Sequence, residues 1–415
     1  MDIRITPGPL AGTVTPPPSK SQAHRALIAA ALSGGFSVLK NLARSQDIQA
    51  TTDCLRALGA YFEELESGGI RVHGLGNSIP QHRESWLVYF DCGESGSTLR
   101  FLIPVALVVQ GGGIFTGRGR LMERPQKPYF DIFDEKGIFY ERKDGTLTVR
   151  GELTPGKYRL PGNVSSQFVT GLLYALPLLD GDSQIVLTSP LESRGYVDMT
   201  LDVLDRFGIR VEVSEDGYRV PGGQKYRPCD LTVEADWSQA AFWYEARFLG
   251  SDVEITGLCE NSAQGDSVID VLFEEMGLTL APVGGLELDV SGYPDLVPPL
   301  AAMAALRAGE TTYLVNAARL RMKESDRLAT VTKTLNALGA QVEEGPDFLK
   351  ITGRDGLAGG VTVDCCNDHR IAMMAAVAAT RCAQPVTLLG ADCVRKSYPN
   401  FWEEYKRLGG KFNVL

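Results

Sequence analysis

The sequence predicts an α/β fold of two domains, each built from three repeats of the order strand, helix, strand, helix, strand, strand. Three observations carry this. At 415 residues the chain exceeds what one core usually organises, so two domains of about 200 residues are expected. A short pattern recurs six times, in which an amphipathic helix closes on glycine and runs into a charged strand. Between the repeats lie Ala- and Leu-rich stretches that suit helices buried on most faces.

The six helix ends are 54–59, 130–137, 201–208, 268–277, 334–339 and 405–409, closing on Gly59, Gly137, Gly208, Gly277, Gly339 and Gly409. Glycine there suits the left-handed residue that ends a helix. The glycines recur every 62–78 residues, a regularity that favours a repeated unit. Four repeats continue into a second strand, at 70–74, 147–151, 286–292 and 349–353. The apolar stretches 25–32, 99–109, 168–179, 300–306 and 371–379 read as the buried helices.

The sixth repeat has no second strand after 412–415, and the opening segment 3–7 can supply it. That places 1–17 with 234–415 in one domain and 18–233 in an inserted one. The crossings fall near Pro16-Pro17-Pro18 and near 233–236. Sites commonly lie where domains meet, so motifs from both halves are expected to share an interdomain cleft.

A formal net charge of −10 disfavours nucleic acid and anionic membranes as partners. The N-terminus lacks a signal-peptide pattern, and no apolar run approaches the ~18 residues of a membrane span. The eight cysteines form no C-x-x-C pair, as expected of reduced, mostly buried thiols in a cytoplasmic protein. Four histidines without H-x3-H spacing argue against zinc. No G-x4-G-K-[ST] loop is present and Gly74-Leu75-Gly76 lacks the third glycine of a dinucleotide fingerprint, so no nucleotide cofactor is indicated.

Against that acidic background, short motifs gather Lys and Arg beside small hydroxyl donors, as a site for phosphates and carboxylates needs. Ser19 can cap a helix whose first turn holds Lys20 and Ser21, with Arg25 one turn on; free N–H groups and the helix dipole favour an anion there. An ordinary surface cap is the commoner use of such residues. Gly96 and Arg100 open the next buried helix, where glycine admits close backbone approach, and Ser165, Ser166 and Gln167 open a third. Three helix starts with one chemistry favour the anion reading. Asp295 precedes another apolar helix, as a cap or a general base. Lys323, Glu324 and Arg327 fall on a predicted helix, with Lys323 and Arg327 on one face; a solvated charged face is the plain alternative. His369 and Arg370 open a helix that Asp368 can cap. Lys396 is placed in a loop.

Taken together, from Ser19-Lys20-Ser21 to Lys396-Ser397-Tyr398-Pro399, these motifs resemble those of the 5-enolpyruvylshikimate-3-phosphate synthases over nearly the whole chain. The resemblance implies the enolpyruvyl transferase fold and a transfer from phosphoenolpyruvate to the 5-hydroxyl of shikimate 3-phosphate, without cofactor or metal. It implies a shikimate 3-phosphate site of Lys20, Ser21, Arg25, Ser165, Ser166, Gln167, Ser193, Tyr196, Asp295 and Lys323. It implies a phosphoenolpyruvate site of Lys20, Gly96, Arg124, Gln167, Arg327, Arg370 and Lys396. Asp295 resembles the base toward the hydroxyl, and Glu324 with Lys20 the proton-transfer pair at the methylene. Substrate is expected to close the domains. Two departures stand out: Glu94 replaces the asparagine of many relatives, and Arg319 lies near the place of another. Room at Gly96 fits inhibition by glyphosate.

The nearest rival family, the UDP-N-acetylglucosamine enolpyruvyl transferases, carries a reactive cysteine in a glycine-rich loop, and the corresponding 117–124 has none. A non-catalytic phosphate sensor would lack an acid–base residue, whereas Asp295, Glu324 and Lys20 are all present. A monomer is expected.

Overall fold

The computed structural model describes residues 1–66, 68–76, 87–277 and 285–415. The chain forms two compact units, one of Met1–Pro17 with Ala235–Leu415 and one of Pro18–Glu234.

In the 18–234 unit, three four-stranded sheets share one topology. In the first, Leu231–Thr232 pairs parallel with Phe36–Lys40, which pairs antiparallel with Ile70–His73, followed by Tyr61–Glu64. The second runs Tyr89–Asp91, Gly112–Thr116, Thr146–Arg150, Phe139–Lys143. The third runs Gly156–Leu160, Ser183–Leu187, Gly217–Val220, Glu212–Ser214. Gly112 is obligatory where its sheet begins: its φ is +132°, and a Cβ there would lie 2.0 Å from the Val149 carbonyl oxygen.

Each sheet is accompanied by two helices of opposite character. Lys20–Leu32, Gly96–Gln110 and Ser166–Ala175 are buried along almost their whole length. Gln46–Ala57, Lys127–Lys136 and Arg194–Arg206 bury one stripe and keep charged residues outside. Gly137 ends Lys127–Lys136 in the left-handed conformation, at φ 68°.

The second unit repeats the scheme. One sheet is Leu286–Asp289, Thr311–Val315, Leu349–Thr352, Gln341–Glu344. In another, Ile3–Thr6 pairs antiparallel with both Val386–Leu389 and Lys411–Val414, so the start of the chain supplies the strand the sixth repeat lacks. Ala11–Val14 pairs parallel with Asp252–Ile255. The buried helices are Trp237–Phe248, Val297–Ala305 and His369–Ala378, which pack on one another.

Two expectations need correction. The segment 286–292 is not the second strand of the fourth repeat: Leu286–Asp289 pairs with Thr311–Val315 and opens the fifth. The stretch directly after Gly277 lies outside the described residues. Lys323 and Glu324 are not helical. A 3-10 turn, Ala318–Met322, ends at Lys323, and the helix begins at Arg327 because Asp326 caps it, accepting from Ala329 N at 3.2 Å.

Candidate active site

In the 18–234 unit, Ser19 caps the Lys20 helix by accepting from Gln22 N. Lys20 Nζ donates to Asp47 Oδ2 at 2.8 Å, a pair largely shielded from solvent. Arg25 is buried and held at three points: Nε donates to Thr200 Oγ1, Nη1 to the Ser21 carbonyl and Nη2 to the Tyr196 carbonyl, at 2.7–2.8 Å. Burial draws its pKa down to about 10, partly offset by Tyr174 and Tyr196, so it remains a cation at neutral pH. Ser21, Arg25 and Tyr196 are thus brought together. Ser193, buried and left-handed at φ 53°, starts the Tyr196 helix. Ser165 caps the Ser166 helix and accepts from Gln167 N.

Gly96, Arg124 and Gln167 meet at one point. A Cβ on Gly96 would lie 2.7 Å from Arg124 Nη1 and 3.4 Å from Gln167 Oε1. Gln167 is held from both sides: Oε1 accepts from Arg100 Nη1 at 2.8 Å, and Nε2 donates to Ser97 Oγ at 3.0 Å. The Arg100 guanidinium also lies over the Phe168 ring and donates to the Pro125 carbonyl. Glu94 places its carboxylate against Gly119, where a Cβ would come within 2.7 Å of Oε2.

A buried relay ties the Lys20 helix to the start of the Gly96 helix. Thr98 Oγ1 donates to Ser95 Oγ at 2.7 Å, so its lone pair must accept from Thr51 Oγ1 at 2.6 Å. Thr51 has then used its only proton and accepts from His24 Nδ1 at 2.7 Å. His24 is therefore the neutral Nδ1–H tautomer. Burial, reinforced by Lys20 and Arg25, holds its pKa well below the ordinary imidazole value.

In the other unit, Arg327, Arg370 and Lys323 converge on Asp295. Its Oδ1 accepts from Arg327 Nη1 at 2.8 Å and its Oδ2 from Arg370 Nη2 at 2.9 Å, with Lys323 Nζ 3.6 Å from Oδ1. Arg327 Nη2 donates to Glu324 Oε2 at 2.7 Å and Nε to Asp368 Oδ2 at 2.9 Å. Burial would raise the Asp295 pKa, but Arg370, Lys323 and Arg327 outweigh it and hold the carboxyl well below its usual range. Lys323 is drawn down to about 8 by burial, which Asp295 only partly reverses. For Arg327, burial is overcome by Asp368, Glu324 and Asp295, which fix it as a cation.

Asp368 does double work: it accepts from Arg327 and Ser325, and caps the His369 helix through Arg370 N at 3.0 Å. Before it stand two successive left-handed residues, Cys366 and Asn367. They turn the Asn367 carbonyl onto Lys396 Nζ, 2.6 Å away. Lys396 ends a 3-10 turn and is buried, not an exposed loop residue. Arg319 donates to the Ser291 carbonyl.

Asp47 was not legible as part of this chemistry, because its pairing with Lys20 spans 27 residues and neither neighbourhood marks it. Among the described residues, no three His, Cys, Asp or Glu side chains are grouped as metal ligands are, and no helix is long and apolar enough to cross a membrane.

Comparison with known proteins identifies a family. The family model described as EPSP synthase (3-phosphoshikimate 1-carboxyvinyltransferase) matches residues 5–405. The chain is 45% identical to the 3-phosphoshikimate 1-carboxyvinyltransferase of Clostridium kluyveri, over 99% of this chain and 98% of the relative. It is 45% identical to that of Clostridium acetobutylicum, over 98% and 97%. The EPSP synthase structure from Acinetobacter baumannii aligns over all of both chains with TM-score 0.80 and 25% identity. The enolpyruvyl transferase NikO from Streptomyces tendae, at 19% identity and TM-score 0.78 over 99% of this chain and 98% of that one, shares the fold.

Proposed function

The chain belongs to the EPSP synthase family of 3-phosphoshikimate 1-carboxyvinyltransferases, and from that premise we propose how its residues perform the family's reaction. The enolpyruvyl group of phosphoenolpyruvate passes to the 5-hydroxyl of shikimate 3-phosphate and phosphate leaves. The hydroxyl oxygen bonds to C2 while C3 takes a proton. The tetrahedral intermediate then expels phosphate, the C3 proton is lost, and the enol ether forms.

The observation that carries this reading is the convergence of Arg327, Arg370 and Lys323 on Asp295, with Glu324 on the same arginine. It supports a reading in which Asp295 is the carboxylate base and Glu324 a second carboxylate, among cations able to hold an anionic substrate. Arg327, Arg370 and Lys396, with Lys20, Gly96, Arg124 and Gln167, bind phosphoenolpyruvate. Lys20, Ser21, Arg25, Ser165, Ser166, Gln167, Ser193, Tyr196, Asp295 and Lys323 bind shikimate 3-phosphate. Asp295 takes the hydroxyl proton, and Glu324 with Lys20 serves the methylene carbon. Both groups of residues act on one pair of substrates. The same reading makes the protein a cytoplasmic monomer.

The test is phosphate release from phosphoenolpyruvate by the purified protein. Release is expected only with shikimate 3-phosphate present, and Asp295→Ala should lose it while retaining the fold. Release with UDP-N-acetylglucosamine instead would overturn the acceptor.

A methyl group at position 96 meets Arg124 Nη1 first, and that flexible end can give way. Gly96→Ala should therefore fold normally, raise the KM for phosphoenolpyruvate by about tenfold, and weaken inhibition by glyphosate. The KM for shikimate 3-phosphate should change much less. Steady-state kinetics with each substrate varied in turn checks this.

A further inference from the structure

A general base works best when its pKa lies near the working pH. Asp295 is far from that condition. Both its oxygens are occupied by guanidiniums, and Lys323 adds a third cation, while the Glu324 carboxylate weakens their pull.

The groups that suppress it are also the anion binders. Arg327 presents separate N–H groups to each neighbour: Nε faces Asp368, Nη2 faces Glu324, and Nη1 faces Asp295. Arg370 likewise offers Nη2 to Asp295 and to Ser238 Oγ, while Nη1 lies near the Ser238 and Asp295 carbonyls. The Asp295 contacts can therefore be exchanged while Asp368, Glu324 and Ser238 still hold both guanidiniums in place.

Resting on the proposed function, we propose that Asp295 is an internal anion that phosphoenolpyruvate displaces from Arg327 Nη1 and Arg370 Nη2, so that the base becomes competent only once that substrate is bound. The incoming phosphate or carboxylate takes over the two N–H groups and neutralises the cations around Asp295. Its carboxylate is then released to accept the 5-hydroxyl proton as the oxygen bonds to C2. The C2=C3 electron pair takes its proton at C3 from the separate acid. Chemistry is thereby coupled to occupancy of the second site, because a base freed by the donor substrate cannot act before the donor arrives.

Coupling of this kind is reciprocal: if phosphoenolpyruvate makes Asp295 more basic, the charge on Asp295 must weaken phosphoenolpyruvate. Binding is measured by calorimetry in the presence of 5-deoxyshikimate 3-phosphate, which has no hydroxyl to react. Asp295→Asn, nearly isosteric and uncharged, should bind phosphoenolpyruvate about tenfold tighter than the unmodified protein while losing turnover. A merely structural role for Asp295 would weaken binding or leave it unchanged, and either result overturns the proposal. In case the variant does not fold, the Asp295 side-chain carboxyl of the unmodified protein is followed by carbon-13 NMR through a pH titration. Its midpoint should rise when phosphoenolpyruvate is added, and an unchanged or lowered midpoint overturns the proposal. If the unmodified protein turns over but binding follows neither expectation, only this inference falls. If it does not turn over at all, the proposed function falls and takes the inference with it.

Discussion

Arg327→Ala is expected to abolish turnover and to destabilise the fold by about 3–5 kcal/mol. The Arg327 side chain is 1% exposed, and its guanidinium is shared by Asp368, Asp295 and Glu324. Removing it leaves three carboxylates in one volume without their common counter-charge. Asp368 suffers most, since its side chain is fully buried and also caps the helix that carries Arg370. Arg327→Lys restores charge but cannot reach in the three directions that Nε, Nη1 and Nη2 span. It should recover part of the stability and little of the activity. Urea unfolding and phosphate release on the same preparations separate the two effects. An Arg327→Ala protein as stable as the parent would contradict the shared-counter-ion account.

Gly171→Val is expected to destabilise by ~3 kcal/mol and to impair the use of phosphoenolpyruvate. Gly171 lies in the Ser166 helix where it crosses the Gly96 helix. A Cβ there would sit 2.2 Å from Tyr129 Oη, 2.5 Å from the Arg100 carbonyl oxygen and 3.0 Å from Pro104 Cγ. Two of those neighbours resist displacement, because Tyr129 Oη shares its one proton between the carbonyls of Arg100, at 2.7 Å, and Phe168, at 3.2 Å, and so bridges the helices. Any side chain must force the helices apart, and the Arg100–Gln167 hydrogen bond spans that same junction. Gly171→Ala should already show part of the loss in urea midpoint and a raised KM for phosphoenolpyruvate. A neutral Gly171→Ala would show that the junction is loose and that Gln167 is positioned by something else.

Much of this architecture is local and was therefore readable. Glycines that end helices and hydroxyl residues that start them act through their own backbone neighbours, so Gly137, Gly339, Ser19 and Ser165 declare themselves. The Trp237–Phe248 helix escaped because it is buried without being Ala- and Leu-rich. It carries Trp237, Trp243 and Tyr244, and a fully buried Glu245 with neither oxygen hydrogen-bonded among the described residues. Burial raises the Glu245 pKa well above its ordinary value, so a residue that reads as surface charge sits in a core that favours its neutral form.

Side-chain partnerships were not readable, for the same physical reason. Lys323 and Arg327 look like neighbours on a helix face. In fact Asp326 starts the helix after Lys323, and the two meet through Asp295, about thirty positions earlier. Lys396 read as a loop lysine because its buried acceptor is a carbonyl turned inward by two left-handed residues. Leu286–Asp289 was misassigned because its partner strand lies downstream and parallel.

The strand Ile3–Thr6 lies between Val386–Leu389 and Lys411–Val414. That position sets an order on biosynthesis. Ile3–Thr6 cannot find either neighbour until Val386–Leu389 and Lys411–Val414 have followed it from the ribosome. Residues 18–234 can meanwhile complete their own sheets, as domains generally do during synthesis. The nascent chain thus trails an unpaired, alternately apolar N-terminal segment through most of translation. Protecting that segment from wrong partners is the burden of a sheet closed by joining the two ends of the sequence.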